Sequence, residues 1–426
     1  MTTLQRIQPP VFPIEKIVIP EAQTFTLDNG VPVFLIDAGT EDIMRLEFTF
    51  RAGQLYEYLP LLASTTNKML TEGSEKYSSE ELNRILDFHG IFLNLSAEKD
   101  RAGIVVYFLS KHLDKVLELS REILLNPAFP ESELNSLMKK RLRWFHVNRE
   151  KVQNLAIDQF FESIFGKHHP YGHQITESDF EILSPAILKD FHAKYYRPEN
   201  MAIIISGKLH KTTTESLNNY FGAIHSPGIY SEDPGNILKG EKRKKIHIPK
   251  PGAVQSAIRI GSTTINKRDS DYAGLKILDS VLGGYFGSRL MKNIREDKGY
   301  TYGISSSISS LEATGYKVIS TEVGTKNCQL TLDEIYKEIN LLQTIPIDRN
   351  ELAIVRNYMS GEMLRMFDGP FALAESFRSV WEFGLDNNYY YRLAEKIKTI
   401  DPDEIMELAK TYYNIDDLYQ VTVGAK

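Results

Sequence analysis

Arg295 and Tyr302, in the run VLGGYFGSRLMKNIREDKGYTYGI from Val281 to Ile304, are the two side chains whose types and spacing point most directly to chemistry. One is a permanent cation, the other a neutral phenol, and both donate hydrogen bonds. Donors of this kind that converge on one point hold a peptide carbonyl and stabilise negative charge developing on its oxygen. The plain alternative is that Arg295 complements a helix C-terminus and Tyr302 fills core. Gly283, Gly284 and Gly287, around Tyr285 and Phe286, read as a loop whose missing side chains let another chain approach its backbone.

Two elements must position the pair. Leu290, Met291 and Ile294 form an apolar stripe at helical spacing, with Ser288 as N-cap and Gly299 as the residue that ends the helix. Beyond the glycine, Tyr300, Tyr302, Ile304 and Ser306 alternate with Thr301, Gly303 and Ser305, which is strand spacing. Arg295 therefore falls in the last helical turn and Tyr302 on the strand after a reversal of direction, from which both can reach one point above the glycines.

The runs GGYFGSRL and NIREDKGYTYGIS resemble the C-terminal domain of M16 peptidases, the family of pitrilysin, insulin-degrading enzyme and the mitochondrial processing peptidase. The resemblance implies that Arg295 and Tyr302 are the family's substrate-binding Arg/Tyr pair, and that Gly283, Gly284 and Gly287 are a short form of its glycine-rich segment. It extends from about Thr24 to Gly424.

Active members of that family carry His-x-x-Glu-His on a helix of the first domain and a distant glutamate as third metal ligand. Two histidines four residues apart share a helix face and bind zinc, while the glutamate handles the proton of the attacking water. The flanks are recognisable here in Arg51-Ala52-Gly53, Glu57, Met69-Leu70 and Gly73-Ser74, but the motif itself is not. Within LLASTTNKML the ligand positions hold Ser64 and Lys68, the position of the base holds Asn67, and the third ligand is expected near Trp144. Serine is a poor zinc ligand, an ammonium has no lone pair, an amide is no base and an indole offers the metal nothing. The expectation is that this chain holds no metal and no cofactor of its own, with zinc supplied by a partner.

Other candidates read more simply. His168, His169 and His173 in GKHHPYGH could gather a transition metal, but a proline- and glycine-containing turn accounts for them. His89, His112 and His146 stand alone in helical segments, and Cys328 has only Lys326 near it as a basic partner.

The chain of 426 residues is long enough for two domains, and its 42% hydrophobic and 25% charged content is that of an ordinary globular protein. A net charge of −6 gives no footprint for nucleic acid, and one cysteine excludes an internal disulfide framework. The N-terminal residues lack a basic region followed by an apolar run, and there is no 18-residue apolar stretch. Cytoplasm is the expected location, or an exported one if a leader has been removed.

The two halves end alike. In EILSPAILKDFHAKYYRPENMAIIISGK and KTIDPDEIMELAKTYYNIDDLYQVTVGAK, Pro185 aligns with Pro402, Tyr195-Tyr196 with Tyr412-Tyr413 and Gly207 with Gly424. Each copy starts a helix with proline at its first position and closes on a strand. One ancestral unit used twice predicts domains at 1–222 and 248–426, joined by a solvated linker at 223–247 that carries the KGEKRKK run. Thr24 to Ile36, with Asn29-Gly30 as a hairpin turn, Met44 to Phe50, Val254 to Ile260, 301–309 and 315–323 read as strands. The segments 60–72, 79–89, 112–125, 131–163, Asp271 to Leu282 and those after 330 read as helices. The fold class is α+β, two homologous domains, each a largely antiparallel sheet packed against helices; the resemblance makes it the LuxS/processing-peptidase type.

Taken with the resemblance, this describes the non-catalytic subunit of a heterodimeric zinc peptidase, binding peptide opposite a zinc-bearing sibling. A scaffolding subunit and a peptide-binding homodimer are the alternatives. No nucleic-acid or membrane partner is expected.

Overall fold

Duplication shows in the strand order of the computed structural model, which describes residues 17–225, 240 and 244–425. The first sheet uses β1 (Gln23–Thr26), β2 (Pro32–Asp37), β3 (Ile43–Phe50), β4 (Phe92–Ala97), β5 (Ala102–Leu109) and β6 (Met201–Gly207), in the order β1-β2-β6-β3-β5-β4. The second uses β7 (Lys245–Pro249), β8 (Gln255–Thr264), β9 (Thr301–Ser310), β10 (Gly315–Gly324) and β11 (Tyr419–Gly424), in the order β7-β11-β8-β10-β9. Apart from β1, which closes a hairpin onto β2 through Asn29-Gly30 with Gly30 at φ +89°, the two orders correspond strand for strand. In each sheet the last strand in sequence pairs in parallel with the first of the shared set (β6 with β2, β11 with β7) and antiparallel with the next (β6 with β3, β11 with β8).

The matched halves also share a local device. The helices Pro185–Tyr195 and Pro402–Tyr412 each begin with proline at the first position, capped by Ser184 Oγ accepting from Ile187 N and by Asp401 Oδ1 accepting from Glu404 N. The missing proline N–H is one that an α-helix leaves unpaired in any case. Most of the expected segment 223–247 lies outside the described residues, as does the N-terminal stretch 1–16.

Each half lends a helix to the other. Val152–Phe165 packs on β8 and β11, and Gly369–Trp381 packs on β6 and β2, where Phe34 meets the rings of Phe377 at 4.9 Å and Trp381 at 5.1 Å. Charged groups meet along this seam: buried Glu47 takes Arg45 at 2.8 Å and Arg378 at 3.4 Å, and Arg51 reaches Glu312 at 2.9 Å. Such groups add little net stability, but removing one partner leaves an uncompensated charge and is costly.

The segment expected as one helix over 131–163 is two, Glu131–Arg149 and Val152–Phe165, broken where Lys151 is extended at φ −85° and ψ 125°. The break turns the second helix onto the other sheet. A further hairpin joins β4 and β5. Its sequence alternates, as in FLNLSA, and Gly103 leaves room for β3, since a Cβ there would lie 1.9 Å from Phe48 O.

Candidate functional site

Two regions matter, one in each half. In the second half, Gly299 ends the helical segment in the left-handed conformation, φ +64°, donating to Arg295 O, while Tyr300 N returns to Ile294 O. Arg295 sits in the wider π-helical turn Met291–Asp297, and Tyr302 on β9, an edge strand. Strict alternation would bury Tyr302 on the same side as Ile304. Instead the pairing with β10 jumps between Thr321–Ile304 and Val323–Thr301, a bulge that inserts one residue in β9 and turns the ring outward, 93% exposed. The core-filling alternative for Tyr302 is therefore excluded.

Neighbouring polar residues of the same segment are committed to other helices. Arg289 makes a bidentate pair with Glu351 at 2.7 and 2.9 Å, Asn293 donates to Glu334 and Glu338, and Lys298 Nζ donates to Asn293 and lies 3.3 Å from Glu334. Arg295 is left over. Its guanidinium lies 4.6 Å from the ring centre of Phe286, itself 61% exposed, and no carboxylate among the described residues pairs with it. No hydrogen bond joins Arg295 to Tyr302.

The glycines need correction. Gly283 and Gly284 close a π-helical turn, Ser280–Gly284, rather than forming an open loop. A Cβ on Gly283 would lie 2.6 Å from Ser306 N, so its smallness serves contact with β9; a Cβ on Gly287 would lie 2.7 Å from the ring of Tyr285. This chain's own packing alone requires these two to be glycine. Ser288 is likewise no side-chain cap: its hydroxyl is buried without a partner, and only its carbonyl accepts, from Lys292 N.

In the first half, Ser64, Asn67 and Lys68 lie on the helix Leu62–Met69. Asn67 is 1% exposed and donates to Gly103 O at 2.9 Å and Tyr196 Oη at 3.3 Å. The corresponding helix of the second half, Tyr272–Asp279, is tied in the same way, with Tyr413 Oη donating to Asp279 at 3.3 Å. Asn67 thus fills a structural role with a counterpart in the other half. Lys68 points to solvent.

Trp144 does not face this helix; it is 70% exposed. The side chain brought to Ser64 from the helix Glu131–Arg149 is Arg141, nearly one turn earlier, with Nη2 donating to Ser64 Oγ at 3.0 Å and Nη1 to Thr65 Oγ1 at 2.7 Å. Zinc does not fit these residues: a guanidinium occupies the approach, and the amide that replaces the base is already bonded. Glu57 accepts from Ala63 N at 3.1 Å and so satisfies the start of the Leu62–Met69 helix, where Leu61 is left-handed at φ 68° and provides no side-chain cap. Burial pushes the Glu57 carboxyl up to about 7, against the opposing effects of its backbone hydrogen bond and of Arg141 and Lys99.

Among the described residues no group of three or more His, Cys, Asp and Glu side chains could hold a metal. His169 is buried and accepts from Tyr171 N at 3.1 Å, shaping the turn Pro170–Gly172; His173 lies 3.6 Å from Asp179, and His146 lies 3.7 Å from Glu177. His89 and His112 do not stand alone, since their rings meet edge-on at 4.9 Å. Burial pushes the Cys328 thiol up, away from reactivity. No described helix is long and apolar enough to cross a membrane.

Comparison with known proteins agrees with this geometry. Residues 33–177 match the insulinase (peptidase family M16) model, and residues 183–359 match that of the peptidase M16 inactive domain. Similar chains include the non-peptidase homolog YmxG of Helicobacter pylori, 24% identical over 86% of this chain and 84% of that one. Another is the uncharacterized zinc protease YmxG of Bacillus subtilis, 22% identical over 80% and 83%. Among solved structures, a peptidase M16 inactive domain from Pseudomonas fluorescens superposes with a TM-score of 0.84 at 22% identity, covering 95% of this chain and 98% of that one. A protease from Helicobacter pylori gives 0.83 at 16% identity, covering 96% and 100%, and these two likenesses establish the fold. With both halves matched, the second by the inactive-domain model, the chain belongs to the M16 peptidase family as a non-catalytic member.

Proposed function

We propose that this chain is the peptide-gripping subunit of a two-chain M16 peptidase, with Arg295 and Tyr302 binding substrate carbonyls and a zinc-bearing sibling supplying the hydrolysis. The observation that carries the reading is the contrast within one short segment. Arg289, Asn293 and Lys298 are engaged by Glu351, Glu334 and Glu338, whereas Arg295 and Tyr302 have no hydrogen-bond acceptor among the described residues, beside an edge strand. Free donors on an ordered frame are suited to backbone carbonyls, whose recognition makes little demand on side-chain sequence. The peptide would lie extended against a sheet edge of the sibling, as an unstructured segment can and a folded protein cannot.

Reconstitution tests this. Each chain alone should leave an unstructured peptide intact, the purified chain should contain no stoichiometric zinc, and mixing it with an M16 sibling carrying His-x-x-Glu-His should produce cleavage. Stoichiometric zinc with hydrolysis by this chain alone would overturn the reading.

A further inference from the structure

The erased metal region is a cavity of about 380 Å³ bordered by Glu57, Ser64, Lys99, Arg141 and Gln54. That is within the range of about 300–1,000 Å³ typical of small-ligand sites. Two cations line it, and among the described residues neither has a carboxylate of its own. Arg141 spends two of its N–H groups on the hydroxyls of Ser64 and Thr65. Lys99 has only Gln54 Oε1 at 3.4 Å, with its ammonium 4.1 Å from the ring centre of Phe161 and 5.1 Å from that of Tyr171. An arginine carries five N–H donors and a lysine ammonium three, so most of their capacity is unused.

The acidic groups nearby are spoken for. Glu57 is shared between the two cations and bonded to Ala63 N, and Glu98 at the rim pairs with Arg378. Asp100, next to Lys99, accepts from Tyr171 Oη and Glu312 N. Half-buried cations in this number ordinarily have anionic partners.

We propose that this cavity is a carboxylate-binding site, with Arg141 and Lys99 as its cationic walls. The guanidinium N–H groups not given to Ser64 and Thr65, and those of the ammonium, can donate to carboxylate oxygens. The carboxylate comes either from a small free acid or from the C-terminus or acidic side chain of a peptide. This site is independent of Arg295 and Tyr302 and stands without the peptidase reading.

Calorimetric titration of the full chain decides it, using succinate, an N-acetylated tripeptide with a free C-terminus, and the same peptide as its amide. At about pH 7, where Arg and Lys side chains are ordinarily charged, at least one carboxylate ligand should bind and the amide should bind at least about tenfold more weakly. Binding of succinate alone points to a free acid, and binding of the peptide acid alone to a peptide end. Arg141→Gln and Lys99→Gln should each weaken binding by about tenfold, and Glu57→Gln should tighten it by about threefold by removing a competing charge. Should Arg141→Gln fail to fold, Lys99→Gln and Glu57→Gln carry the test. Absence of binding by both carboxylates, equal affinity for the amide, or affinity unmoved in the folded Lys99 and Glu57 variants would overturn the proposal.

Discussion

In the first half Asn67 is 1% exposed and its amide is held by Gly103 and Tyr196; in the second, Tyr302 is 93% exposed and its hydroxyl is bonded to nothing in the described chain. Both are polar residues at positions where the sequence resemblance to M16 peptidases places chemistry. The first has been absorbed into the packing, because a buried amide with two partners stabilises and an unpaired one costs. The second is held outward by a bulge in β9, which spends ladder pairing to expose a ring. A polar side chain with internal partners belongs to the fold, while one ordered without them is available to a ligand.

Substitutions can break or sharpen that contrast. The largest effect is expected at Asn67→Leu, which strands the Gly103 carbonyl and Tyr196 hydroxyl in the core; urea unfolding should show a loss of about 2–3 kcal/mol. Next comes Glu57→Gln. The fold holds this carboxyl at about 7, above its ordinary 4.5, so it favours the protonated form. That contribution is complete below an unfolded value of about 4.5 and is lost as pH rises through about 7, which Gln, not titrating, avoids. Unfolding curves should therefore show Glu57→Gln gaining about 1–2 kcal/mol on wild type between about pH 5 and pH 8. Arg289→Ala, which releases Glu351, should cost about 1 kcal/mol. Smallest of all, Tyr302→Ala should change stability by less than about 0.5 kcal/mol, since nothing packs on an exposed ring. A loss at Tyr302 as large as that at Asn67 would erase the distinction.

Much of this was legible in the sequence because the signals are local. Gly299 announces the end of its helix, Asn29-Gly30 its hairpin, and Pro185 and Pro402 the two copies of one helix start. Once the resemblance marks the positions, residue chemistry says that Ser64, Asn67, Lys68 and Trp144 are unsuited to a zinc site. What remained hidden depends on phase and on tertiary contact. Arg141 rather than Trp144 meets Ser64, and three residues along a helix separate a buried polar contact from an exposed indole. No glycine or proline marks the break at Lys151, which only the demand to cover the other sheet explains. The bulge at Tyr302 was invisible because Thr301 and Thr321, which bond each other and the Gly303 carbonyl there, look like ordinary strand residues. β4 alternates and β5 is a short apolar run, which is strand-like only once the two are paired.

Cleavage of an unstructured peptide by the reconstituted pair, with Arg295→Ala in place of the wild-type chain, tests the central claim most directly. The account predicts an unchanged unfolding midpoint and a fall in kcat/KM of about tenfold or more, as expected when a donor to the reacting carbonyl is removed. Undiminished cleavage with the folded variant would contradict it.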